Sequence, residues 1–236
     1  MPPDPTVSTT SEDGDGPPER SHRLLIGLVA LGVVSVVIAA VVIFSSGGST
    51  TRPEDPEAEL RAGGESLIVG NPDAPNKVTV FEDFGDPHSR DFEVASRDFL
   101  QVEAAQGDVQ VEYRPFPQTD GYSLLAIEAW AAVLEGGTAK HAMAFHDELF
   151  DRQPAVGEAP PSDAELEAWA VDVGVDEGLV SDALERPDPA FVEATVRSAG
   201  VAGVKTVPTV LIDGKPFGTG TGVELADQLQ RKILTD

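Results

Sequence analysis

Residues 24–44 read LLIGLVALGVVSVVIAAVVIF, twenty-one residues without a charge and with Ser35 as the one polar side chain. As a helix rising about 1.5 Å per residue, this run spans a hydrocarbon core of roughly 30 Å. A cleaved signal peptide would carry a shorter apolar core of about 7–15 residues and a small-residue cleavage site. Cleavage near Ser46 is the alternative, but no strong site follows Phe44, and 23 polar residues are a long lead. The expectation is therefore a single transmembrane helix, Leu24 to Phe44. Arg20 and Arg23 flank its N-terminal side, with His22 between them, against Arg52 on the other. This bias places the N-terminus in the cytoplasm and the C-terminal part outside the cell membrane.

The run divides the chain. Residues 1–23 are rich in Pro, Asp, Ser and Thr and have little to bury, the composition of a disordered tail. Residues 45–64 read as a flexible tether, and residues 65–236 as one folded domain. The net charge is −25. Residues 1–23 hold two basic and five acidic groups and residues 45–64 two and four, so about −20 falls on the domain. Such a field opposes a phosphate-binding surface and weighs against nucleic acid as a partner. It fits solvated helix surfaces. There is no cysteine, which excludes disulfides, thiolate metal sites and every reaction that needs a thiol.

Within the domain, Val78 to Phe84 is β-branched and aromatic, between turn-forming NPDAPN and Gly-Asp-Pro, and predicts a strand. Asp86-Pro87 is a strong helix start, Asp as N-cap and Pro as first helical residue. Phe92, Ala95, Phe99 and Val102 repeat at helical spacing up to Gly107. With a second strand at Val109 to Arg114, this is a βαβ unit with an expected right-handed parallel crossover. Residues 119–200 then read as helices, near 123–134, 139–150, 163–173, 177–184 and 191–199, one opened by the capping box Ser162 to Glu165. Val210 to Ile212, a turn at Asp213-Gly214, a short edge strand at Pro216 to Gly218 and a second capping box at Thr221 to Glu224 complete the pattern. The terminal helix presents Leu225, Leu229 and Ile233 on one face.

This order, βαβ, helical insertion, ββα, is that of an α/β thioredoxin fold interrupted by a helical domain. GNPDAPNKVTVFEDFGDPHSRDFE at Gly70 to Glu93 resembles the entry strand and active-site helix of DsbA-like thiol-disulfide oxidoreductases, as do YRPFP, FHDELF and GVAGVKTVPTVLIDGK further on. The resemblance runs in order from about Gly70 to Leu234. It implies a cis peptide bond at Val207-Pro208 and a groove for an extended peptide at Thr206, Val207 and Pro208. It also marks a loss. Where the family carries Cys-Pro-x-Cys, this chain has Asp86, Pro87, His88 and Ser89, and Val80 stands where many members place a glutamate that handles a proton. Thiol-disulfide exchange requires attack by a thiolate, which neither Asp nor Ser supplies. The helix can survive the exchange, because a helix N-terminus favours the negative charge of Asp as it favours that of a thiolate.

Other chemistry is thinly supported. Asp86, His88 and Ser89 are the residue types of a hydrolase triad, the alternative enzymatic reading, but four consecutive positions do not by themselves give the relay geometry. His141 and His146 are five apart, off the four-residue spacing of zinc helices, so no metal is expected and His146 is assigned to a helix surface or a packing position. Gly218 to Gly222 looks like a phosphate loop, yet too little chain follows for a dinucleotide fold, and no cofactor is expected. The sequence thus points to a cysteine-less DsbA-like domain, redox-inactive and membrane-anchored, that binds an envelope protein or an extended peptide.

Overall fold

A computed structural model of the chain describes residues 58–119 and 121–235. The apolar run Leu24 to Phe44 lies outside them, and among the described residues no helix is long and apolar enough to cross a membrane.

Alternation builds the sheet. In β4 (Val109–Pro115), Val109, Val111 and Tyr113 are buried while Gln110, Glu112 and Arg114 face the other way, the period of two that a half-covered strand requires. It pairs in parallel with β3 (Asn76–Glu82), Val78 opposite Val111 and Val80 opposite Tyr113. The crossover between them is α1 (Pro87–Gln106). β5 (Thr209–Ile212) runs antiparallel to β3 on its other side, and β6 (Lys215–Phe217) follows it through a tight turn with Asp213 and Gly214 at positive φ. Five helices separate β4 from β5: α2 (Tyr122–Gly136), α3 (Ala139–Asp151), α4 (Asp163–Asp172), α5 (Leu179–Glu185) and α6 (Pro189–Ala202). The chain ends in α7 (Gly222–Ile233). Both expected capping boxes form, at Ser162 with Glu165 and at Thr221 with Glu224. The thioredoxin arrangement and its helical insertion are thus present as expected.

Two features differ from the sequence reading. Residues 60–64, assigned to the tether, contain β1 (Leu60–Gly63), which forms a hairpin with β2 (Ser66–Val69). β2 adds antiparallel to the free side of β4, giving the order β1-β2-β4-β3-β5-β6. Leu67 and Val69 are fully or nearly fully buried there, so the folded part starts earlier than Glu65. The second difference concerns α1. Its buried residues are Ser89, Phe92, Glu93, Ser96, Leu100 and Ala104, whereas Val102 is half exposed and Ala95 and Phe99 are only partly covered. The inward face of this helix is partly polar. α1 is enclosed from another side by α7, whose Gln230 side chain donates to the Ala95 carbonyl at 3.0 Å.

The main core gathers Val78, Val80, Val109, Val111 and Tyr113 from the sheet, Phe92 and Leu100 from α1, and Trp130, Phe145, Leu149 and Phe150 from the insertion. A smaller cluster on the other sheet face holds Phe81, Ala199, Val204 and Leu211, with Phe116 and Val207 against it.

Candidate functional site

The end of β3 feeds directly into α1, and the turn between them holds the four positions singled out above. Asp86 has extended backbone geometry, φ −92° and ψ 121°, and its Oδ2 accepts from the Ser89 amide at 2.7 Å. This is an N-cap, and Pro87 opens the helix after it. Ser89 is fully buried. Its hydroxyl donates to Asp86 Oδ2 at 2.9 Å and accepts from the Asp83 amide at 3.2 Å. His88 is exposed, and among the described residues no hydrogen bond joins it to Ser89. A serine nucleophile needs a free, approachable Oγ with a base accepting its proton. Here the oxygen is enclosed and its proton goes to the capping carboxylate, so the three residues do not form a hydrolase triad.

The loop itself is pinned from below and from the side. Asp83 is buried, and its carboxylate accepts from the Gly85 amide at 2.8 Å, the Gln118 and Thr119 amides at 2.9 Å, the Thr119 hydroxyl at 3.1 Å and the Ser123 hydroxyl. One carboxylate thereby ties the β3–α1 turn to the segment between β4 and α2. From α3's far end, Gln153 Nε2 donates to the carbonyls of Phe84 at 2.6 Å and Asp86 at 3.1 Å, while Arg90 Nε donates to the Phe150 carbonyl at 2.9 Å.

The peptide bond Val207-Pro208 is cis, as the resemblance implied. Phe81 pairs with Thr209 in the sheet, so this bond lies just beyond the end of β3, at the same sheet end from which the Asp86 turn departs. Thr206 is exposed, Val207 and Pro208 are partly covered, and Gln118 Nε2 donates to the Lys205 carbonyl at 2.7 Å. Topology therefore brings Asp86 and Thr206 to Pro208 to one end of the sheet.

Behind this end lies a group that the sequence reading missed. His146, expected at a surface or packing position, is fully buried between rings of Tyr113, Phe150 and Phe84 at centroid distances of 4.8, 5.2 and 5.6 Å. Its Nε2 lies 2.6 Å from Glu82 Oε1 and its Nδ1 3.2 Å from Asp147 Oδ1 and 4.0 Å from Glu93 Oε1. Carboxylates at both nitrogens call for the imidazolium, which donates to each. Burial pulls the His146 pKa down, but Glu82, Asp147 and Glu93 outweigh it and push it up to about 10. Burial has the opposite effect on the Glu93 carboxyl and drives it up to about 7; His146 and Arg97 oppose the rise, while Glu82 and Asp147 add to it.

Arg97 Nε donates to Glu93 Oε1 at 2.9 Å, and its Nη atoms reach both oxygens of Asp151 at 3.1 Å. Polar atoms of Glu93, His146 and Asp147 lie within 4.8 Å of one another, but an imidazolium has no lone pair to offer a metal, and the charge is balanced by His146 itself and by the Arg97 guanidinium, 3.5 Å from Asp147 Oδ1; His141 takes no part in the group. Val80, at the family's glutamate position, is buried and apolar. Glu82 stands two residues on, hence on the same face of β3. The readable signal was a charge at core-period positions: Glu82 in an apolar strand, Glu93 beside Phe92, and His146 after Phe145.

Comparison with known proteins matches this architecture. A family model described as Thioredoxin covers residues 63–231. Among solved structures, MdbA, a thiol-disulfide oxidoreductase from Corynebacterium diphtheriae, superposes with a TM-score of 0.61 at 19% identity, covering 79% of this chain and 100% of its own. BdbD from Bacillus subtilis gives 0.65 at 20% identity, over 77% and 97%. DsbA from Mycobacterium tuberculosis gives 0.57 at 24%, over 76% and 93%. At these identities the likeness is one of fold. A search of curated proteins finds no match. From strand order to helical insertion, with the family model spanning most of its length, this cysteine-less chain belongs to the thioredoxin family and has the fold of its DsbA-like members.

Proposed function

We propose that the chain is a redox-inactive thioredoxin-fold module, anchored through Leu24 to Phe44, whose extracytoplasmic domain binds an extended peptide or a segment of another envelope protein. The observation that carries the reading is the state of the two positions equivalent to the family's sulfurs. Asp86 is spent on capping, and Ser89 is buried and hydrogen-bonded as both donor and acceptor. No attacking group is left, while the main chain around Val207 and Pro208 stands at the same sheet end and needs no sulfur to pair with an extended strand.

The tests separate the parts of the proposal. Insulin reduction by the purified protein is expected to stay at the buffer rate, and turnover above it would refute redox inactivity. A photoreactive group at Thr206 is expected to crosslink extended peptides, and His88→Ala with Pro208→Ala to abolish that labelling. Unchanged labelling in the double variant would refute the groove. Alkaline carbonate extraction is expected to leave the full chain in the membrane pellet and to release a chain lacking residues 1–44.

A further inference from the structure

Four carboxylates and two cations converge where β3, α1 and α3 meet. Glu82 comes from β3, Glu93 and Arg97 from α1, and His146, Asp147 and Asp151 from α3. Tyr113 of β4 and Phe84 close the group off. Both glutamates are fully buried, and Oε2 of each has no hydrogen-bond partner. For Glu93, an ionised oxygen in that position loses its hydration without a hydrogen bond in return, and once protonated the carboxyl no longer carries the charge that burial penalises.

We propose that this cluster is a proton-operated latch holding α3 against α1 and β3, with Glu93 as the group that takes up and releases the proton. Geometry selects Glu93 over Glu82. Glu82 faces the imidazolium directly at 2.6 Å, whereas Glu93 is 4.0 Å from it and shares Arg97 with Asp147 and Asp151. With Glu93 ionised, four negative groups press on two positive ones; with Glu93 protonated, three do.

The latch reaches the surface through α3. The Phe150 carbonyl, near the end of α3, holds Arg90 in the first turn of α1, and Gln153, just past α3, clasps the turn before it. Loosening α3 therefore loosens the carbonyls of Phe84 and Asp86 and, with them, the start of α1. The direction in pH follows from the linkage. Folding raises the Glu93 pKa from 4.5 to about 7, so the folded chain binds this proton more tightly than the unfolded one. The contribution of the Glu93 proton to the latch is complete below 4.5 and is lost as pH rises through about 7. The inference does not depend on any partner at the groove.

Hydrogen exchange of the full chain, corrected for the intrinsic pH dependence of exchange, tests it. From pH 5.5 to 8.5, amides of α3 and of residues 84–90 should lose protection by about tenfold or more, the factor that one pKa unit represents. Glu93→Gln, neutral at every pH, should keep only the loss that His146 contributes, so its protection should fall by a markedly smaller factor than that of the wild type. Flat protection in the wild type, or a Glu93→Gln variant that follows the wild type, would overturn the latch. If that variant does not fold, the wild-type infrared spectrum decides. A protonated, buried carboxyl band is expected at pH 6 and should disappear by pH 9, and its absence at pH 6 would equally overturn the proposal.

Discussion

Asp83 and Asp86 are three residues apart in one turn, yet they hold it in different ways. Asp86 satisfies the first turn of a helix at a partly exposed position, so Asp86→Ala is expected to cost about 1 kcal/mol in urea unfolding, the usual value of an N-cap. Asp83 is buried and serves amide and hydroxyl donors from two segments. Asp83→Ala strands all of them and should cost about 3–5 kcal/mol, in the range for broken buried networks. Equal effects in the two variants would show that the turn is not organised around Asp83. His146 adds a pH signature. Its pKa rises from 6.5 in the unfolded chain to about 10 in the folded one, so its contribution is whole below pH 6.5 and fades as pH climbs through about 10. Unfolding free energy measured from pH 6 to 10 should fall in the wild type. In His146→Gln it should start lower and lose the part of that slope above about pH 7.5, which His146 supplies, while the fall that Glu93 supplies remains.

At the level of elements, the starts of α1 and α7 meet closely at Gly222. A β-carbon on Gly222 would collide with the His88 carbonyl and with the Phe92 amide nitrogen, whereas one on Gly200 in α6 would meet nothing within 4 Å. Helix propensity alone favours Ala at both sites by up to about 1 kcal/mol. Gly200→Ala should therefore stabilise by roughly that amount, while Gly222→Ala should destabilise by about 1–3 kcal/mol, as overpacking does. Thermal melts of the two variants should move in opposite directions. The glycine-rich stretch before α7 was readable as a helix start, but its role as a contact surface was not, since the partner is His88, more than a hundred residues away. Boundaries marked by local chemistry, such as Asp86-Pro87 or the two capping boxes, could be read from the chain. The hairpin β1–β2 could not: its strands are four residues long, β2 is a strand through pairing with residues 111–113, and β1 through pairing with β2. The Glu82, Glu93 and His146 cluster was hidden for a related reason. Each residue stands at a core-period position, but only the packing of three elements shows that the three charges meet.

For the molecule as a whole, the first strand decides where the domain starts. A chain beginning at Ala58 retains β1 and should melt in one cooperative transition. One beginning at Glu65 loses the Leu60–Val69 to Gly63–Ser66 pairing, leaving β2 as an unprotected sheet edge. It should melt at lower temperature and associate at high concentration, measurable by calorimetry and light scattering. Identical melting would place β1 outside the cooperative unit. The same strand has a mechanical consequence. β1 sits at the outermost position of the sheet, and the chain before Ala58 joins it at the end away from the hairpin turn. A pull on that segment directed away from the sheet breaks the 2.7 Å bond from the Gly70 amide to the Glu59 carbonyl first, then separates Leu60 from Val69 and each following pair in succession, as a zipper opens. The four residues of β1 therefore give way before any load reaches β2 and, beyond it, the strands that carry the Asp86 turn and the cis bond.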